Sequence, residues 1–161
     1  MAEWTPSHSA GGWRQAHMGH WLRLALERFD ARVLALMAHH PGVPLGLANL
    51  VTRGQVGAAH IHITRHLATE GSRLTELAQS AGMTKQAMGT LVDQCEAWGM
   101  VSRAPDPQDA RARQVRFTEL GLAWLDAYRE AVEQAEVELR QAVGEEVATV
   151  LSIGLEAYAS Q

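Results

Sequence analysis

Cysteine is almost missing from this chain: Cys95 is the only one. A single thiol excludes an internal disulfide and any zinc site built from several cysteines, and it suits a reducing cytoplasm. Long apolar runs are also missing. None approaches the roughly 18 residues that a membrane-spanning helix needs, so no membrane partner is expected. The first fifteen residues, MAEWTPSHSAGGWRQ, have no basic segment leading into an apolar one and do not read as a secretory signal. Their Gly, Ser and Pro content reads as a frayed end carrying Trp4 and Trp13. There is no Gly-rich phosphate loop, no Gly-x-Ser-x-Gly and no His-Glu-x-x-His. An enzyme is therefore not expected, nor a cofactor. Lysine is scarce as well: Lys85 is the only one among 14 Lys and Arg residues.

What is present is enough for one domain. The 161 residues are 47% hydrophobic and 20% charged, which supports a packed core and argues against disorder. A net charge of −4 argues against a general nucleic-acid coat. The charges are unevenly spread. From Glu119 onward nine acids face only Arg129 and Arg140, whereas Arg103, Arg111, Arg113 and Arg116 lie close together, with Asp106 and Asp109 among them.

Along the chain the apolar spacing predicts a helix from residue 16 to His39. Leu22, Leu26, Phe29, Val33 and Leu36 form a heptad-like stripe on it, widened by Trp21, Leu24 and Met37, and such a helix should be buried on more than one side. Pro41 and Pro44 stop it. A second helix is expected over Ala48–Ala68 and a third after an N-cap at Ser72. A fourth should open at Thr84 and end at Trp98, with Gly99 just past its end. Strands are expected over Met100–Ala104 and Gln114–Phe117, with Asp106-Pro107 in the turn. A long helix from Glu119 to Val143 carries Leu125, Tyr128, Val132, Ala135 and Leu139. Gly144 breaks it, and a last helix carries Val147, Val150, Leu151, Leu155 and Tyr158. Two short helices, a tight turn at Ala81-Gly82 and an arginine-bearing hairpin make a shape that enters DNA grooves.

The segment Glu76-Leu77-Ala78, the turn Glu96-Ala97-Trp98-Gly99-Met100-Val101, the hairpin Asp106-Pro107-Gln108-Asp109-Ala110-Arg111 and the run Phe117-Thr118-Glu119-Leu120-Gly121 together resemble the MarR family of multiple-antibiotic-resistance-type regulators. The match covers residues 52–125; the terminal helices match in placement and character. Ala110, where an extra arginine is common, and Cys95, where leucine usually packs, depart from the pattern. The resemblance implies a mainly α winged helix-turn-helix fold with a two-stranded β wing, in one domain over residues 1–161. Its winged lobe would span residues 50–120, framed by dimerisation helices over 16–40 and 119–160. It further implies a homodimer that binds a pseudo-palindromic double-stranded DNA operator, and a small aromatic or phenolic effector that releases the DNA.

Within that frame Thr84, Lys85 and Gln86 at a helix start can reach base edges and phosphates. Gly89 permits close approach and Thr90 lies one turn further on. Arg111 and Arg113 suit a narrow minor groove, with Asp109 bracing Arg111. Arg103 and Arg116, read as facing each other across the ribbon stem, and Arg73 are phosphate candidates. Trp21, Arg53, His60 and Tyr128 are candidates for an effector pocket. His62 and His66, one helical turn apart, could chelate a metal, and a metal-responsive regulator of the same fold is one alternative. The other alternative is a winged helix used only for protein–protein assembly. Cys95 shares its spacing with Met88, Leu91 and Trp98 and reads as core.

Overall fold

The structure, a computed structural model, describes residues 12–109 and 111–161. Trp4 and the departure at Ala110 lie outside the described residues. After a short 3-10 turn come α1 (Met18–Met37), α2 (Leu45–Thr52), α3 (Ala58–His66), β1 (Ser72–Arg73), α4 (Leu74–Ser80) and α5 (Lys85–Ala97). Then follow β2 (Val101–Pro105), β3 (Arg113–Phe117), α6 (Glu119–Val143) and α7 (Glu145–Ala159). The fold is mainly helical with a winged helix-turn-helix lobe at its centre.

The helix expected over Ala48–Ala68 is two helices. Gly54 takes φ +68°, a left-handed conformation that ends α2 after Arg53, and Gly57 opens α3. The apolar gap Thr52-Arg53-Gly54-Gln55 and the second glycine, Gly57, were the available signals in sequence. The wing is also part of a larger sheet than the expected hairpin. Its strand order is β1-β3-β2, all antiparallel, with Ser72 opposite Val115 and Arg103 opposite Val115 on the other side. Ser72 is thus a strand residue rather than the helix cap. Its hydroxyl accepts the Ala68 N–H at 3.2 Å, and Arg73 takes the N-cap position of α4. Arg116 faces Ser102, not Arg103.

α1 runs antiparallel to α6. Arg32 donates two hydrogen bonds to the Glu138 carboxylate at 2.6 and 2.8 Å, and His40 Nε2 lies 3.0 Å from Glu130. On α1 only Asp30, Val33 and Met37 are buried; Leu26, Trp21 and Leu24 of the expected stripe stay uncovered in the chain. On α6 the buried row is Trp124, Ala127, Tyr128, Ala131 and Ala135, rotated by one residue from the expected one. Alanines hold the row because the α1 backbone passes close, whereas Leu125, Val132 and Leu139 are only half-buried. α7 buries Ala148 alone and exposes Val147, Val150, Ile153 and Tyr158.

The winged lobe packs around Ile61, Leu77, Met88, Val92, Met100, Val101 and Val115, with Trp124 of α6 inserted beside them. The Trp124 indole N–H donates to Thr64 Oγ1 at 3.1 Å, which satisfies an otherwise costly buried donor. The run Phe117-Thr118-Glu119-Leu120-Gly121 forms the joint between wing and long helix. Thr118 caps α6 by accepting the Gly121 N–H at 3.1 Å, and its hydroxyl donates to the Gly99 carbonyl at 2.5 Å. The Thr118 N–H donates to the Met100 carbonyl at 3.1 Å. A Cβ at position 121 would stand 1.9 Å from that carbonyl oxygen, so only glycine lets the helix start pass.

Candidate nucleic-acid interface

α5 is built with two unlike faces. Met88, Leu91, Val92 and Cys95 recur at helical spacing and are buried, so the opposite side must face out. Thr84 caps the helix by accepting the Ala87 N–H at 3.2 Å. Lys85, Gln86, Ala87 and Thr90 are exposed at this end. The Thr90 hydroxyl donates to the Gln86 carbonyl at 3.2 Å. At Gly89 an added Cβ would meet nothing nearer than Leu74 Cδ2 at 3.8 Å. Nothing in the chain therefore demands glycine there, although glycine costs an exposed helix about 1 kcal/mol relative to alanine. Cys95 is buried in the α5 core, as its spacing suggested, and burial pushes its thiol up to about 12.

The candidate arginines differ in what holds them. The Arg103 guanidinium reaches back to α5, 2.5 Å from Asp93 and in contact with Glu96, while its N–H donates to Glu96 at 3.1 Å. Arg73 donates through Nε to buried Asp106 at 2.6 Å. Both are tied within the lobe. Arg111 and Arg113 are exposed, and neither forms an ion pair among the described residues. The expected brace of Arg111 by Asp109 is a backbone one: Asp109 Oδ1 accepts the Arg111 N–H at 3.0 Å. It shapes the tip instead of orienting the guanidinium. Arg116 lies over Gln114, 3.2 Å from its Oε1.

Asp106 organises the wing root. Its Oδ1 accepts the Gln108 N–H at 2.8 Å and its N–H donates to the Ala112 carbonyl at 3.0 Å. The Gln108 N–H and then the Arg73 guanidinium hold its carboxyl below the usual carboxylate range. The sequence reading missed this residue as a structural hub; its place beside a turn proline was the available signal.

The four effector candidates are spread over the molecule. Trp21 is exposed on α1 and Arg53 is exposed at the end of α2. His60 accepts the Gly57 N–H at 3.1 Å, lies 2.8 Å from Gln94 Oε1 and tilts against Trp98. Tyr128 is buried, its hydroxyl accepting from Arg65 Nε at 3.1 Å, and Arg65 also meets Asp30 at 2.5 Å. Burial raises the Tyr128 hydroxyl above its ordinary value despite Arg65. A cleft of about 510 Å³ between α1 and α6 is lined instead by Arg32, Leu36, His39, His40, Glu130 and Gln134. A shallower one along α6 includes Tyr128 but none of the other three candidates. The His62 and His66 rings stack at 6.0 Å. Burial, then His62 and Arg65, lower the basicity of His66. Among the described residues no three His, Cys, Asp or Glu side chains gather closely enough to hold a metal ion.

A tight-turned helix pair, an exposed polar helix start and an arginine-tipped β ribbon define a winged helix-turn-helix protein. The family model described as MarR family matches residues 55–112, from the corner before α3 to the wing. A solved structure of the transcriptional repressor CouR bound to a 23-mer DNA duplex is similar, with a TM-score of 0.67 and 21% identity over 95% of this chain and 99% of that one. CouR from Rhodococcus jostii RHA1 bound to p-coumaroyl-CoA gives 0.64 and 21%, over 88% of this chain and 91% of that one. Apo wild-type MarR from E. coli gives 0.63 and 20%, over 88% of this chain and 96% of that one. At these identities the likeness is one of fold. No curated protein matches the chain by sequence. Among the described residues no helix is long and apolar enough to cross a membrane.

Proposed function

We propose that the chain is a DNA-binding transcriptional regulator that works as a homodimer on a pseudo-palindromic operator, as a repressor released by a small aromatic or phenolic effector. The observation that carries the reading is the start of α5. Thr84, Lys85, Gln86 and Thr90 are exposed on a helix whose other face is fully packed, and the exposed wing residues Arg111 and Arg113 belong to the same lobe. Lys85 supplies charge for a phosphate, Gln86 a bidentate partner for adenine, and the wing arginines charge for a minor groove. The DNA-bound CouR neighbour supports this use of the fold. Exposed apolar side chains on α1 and α7 support the dimer, because a lone chain leaves them in water. In a two-fold dimer the two α5 helices would read major grooves about one turn, roughly 34 Å, apart. The p-coumaroyl-CoA-bound neighbour favours a phenolic effector over a metal.

Fluorescence anisotropy against selected operator and random duplexes, across a salt series, tests the reading. Gln86→Ala should cost about 1–3 kcal/mol per half-site on the operator and little on random DNA. Arg111→Ala should weaken both and flatten the salt slope. A parent protein with no salt-dependent binding to any duplex would leave the protein-interaction module as the better reading. For the effector, operator must lower its affinity by the same factor by which it lowers operator affinity. Equal effector affinity with and without operator refutes the regulatory role.

A further inference from the structure

Arg73 sits where β1 meets α4, paired with Gln114 of β3, its own N–H held by the Glu76 carboxylate at 2.9 Å. From there its guanidinium crosses to Asp106, the first residue after β2. The Asp106 side chain is only 2% exposed, and each of its oxygens is used: Oδ1 by the Gln108 N–H, Oδ2 by Arg73. A buried carboxylate is tolerated only with such partners. Pulling Arg73 away toward a phosphate would strip Asp106 of its counter-charge and release the loop that carries Arg111. A guanidinium already neutralised at 2.6 Å also offers a passing phosphate little net charge.

We propose that Arg73 and Asp106 are positioning residues for DNA recognition. Their ion pair fixes the wing root against the α4–α5 unit and so sets where Arg111 stands relative to the recognition helix. The inference rests on the DNA-binding reading and changes the role expected for Arg73, from phosphate contact to internal clamp. The two roles differ in what Asp106 does. If Arg73 bound phosphate, Asp106→Asn would free a cation, make the chain less negative and leave binding equal or tighter. Arg73→Lys, which keeps the charge, would then bind nearly like the parent. As a clamp, each substitution removes the same Nε–Oδ2 ion pair and the wing loosens.

The experiment compares the parent, Arg73→Lys, Asp106→Asn, the double variant, and Arg111→Ala in the parent and Asp106→Asn backgrounds. Operator affinity is read by anisotropy, and amide hydrogen exchange is read without DNA. Each single variant should bind about tenfold more weakly, the double no worse than either single, and Arg111→Ala should cost much less in Asp106→Asn than in the parent, because coupled sites are non-additive. Exchange at Asp106 and Ala112 should quicken at least tenfold while Leu77 and Val92 stay protected. Parent-like affinity of both single variants overturns the clamp. So does unchanged exchange at the wing root, a result that stands even if the parent binds no duplex and the DNA reading itself fails.

Discussion

The glycine at the wing–helix joint gives a sharp test. In Gly121→Ala the new methyl carbon would lie 1.9 Å from the Met100 carbonyl oxygen, against about 3.3–3.6 Å for an ordinary carbon–oxygen contact. The two backbones must separate by roughly 1.5 Å at a point that Thr118 holds with its N–H and hydroxyl. Losing the Thr118–Met100 hydrogen bond costs about 1 kcal/mol. Repacking the joint against Phe117, 3.0 Å from the same methyl, costs about 1–3 kcal/mol more. Helix propensity returns at most about 1 kcal/mol. The net expectation is a loss of about 1–3 kcal/mol, near 2–12 °C in melting temperature for a chain of this size. Gly89→Ala is the internal control. The same atom is added within a helix, where its nearest neighbour is Leu74 at 3.8 Å, so stability should rise by about 0.5–1 kcal/mol. Urea titrations followed by circular dichroism measure both. If Gly121→Ala matched the parent, or shifted in the same direction as Gly89→Ala, the close approach of α6 to Met100 would be wrong.

Two further outcomes are expected. Arg32, then Gln134, hold the Glu138 carboxyl at about 2, so its contribution to stability is complete above the ordinary carboxylate value near 4.3 and is lost as pH falls toward 2. Denaturant midpoints between pH 5 and 2 should therefore fall less steeply in Glu138→Gln than in the parent, and parallel profiles would remove the Arg32–Glu138 link between α1 and α6. With its thiol at about 12, Cys95 should react with a disulfide reagent at pH 8 on the order of a thousandfold more slowly in the native protein than in urea; comparable rates would mean that the α5 core is open.

Much of the winged lobe was legible because its signals are local. Thr84 and Thr118 cap helices through their own hydroxyls, Gly82 and Gly99 take the left-handed conformation at helix ends, and Met88, Leu91 and Cys95 share one face. What stayed hidden depends on partners distant in sequence. The strand at Ser72–Arg73 exists only because β3 lies beside it. Arg103 and Arg73 looked like Arg111 in sequence, and nothing there singled out Arg65. Only the fold sets Glu96 and Asp93, Asp106, and Asp30 with Tyr128 in front of them. A helical stripe likewise gives the buried side within about one residue, which is why α6 turned out rotated toward its alanines.

The tight joint at Gly121 also makes α6 a mechanical arm. Twenty-five residues at 1.5 Å each give a rod roughly 37 Å long. Its wing end is locked to Met100 without slack, while its far half is gripped by α1 through Arg32 and Glu138. A tilt of ~5° about the Val143 end sweeps Gly121 through ~3 Å, and the β ribbon must travel with it. That distance is the length of one hydrogen bond, so a disturbance too small to notice among the helices at one end arrives at the arginine-bearing tip as the difference between touching and missing.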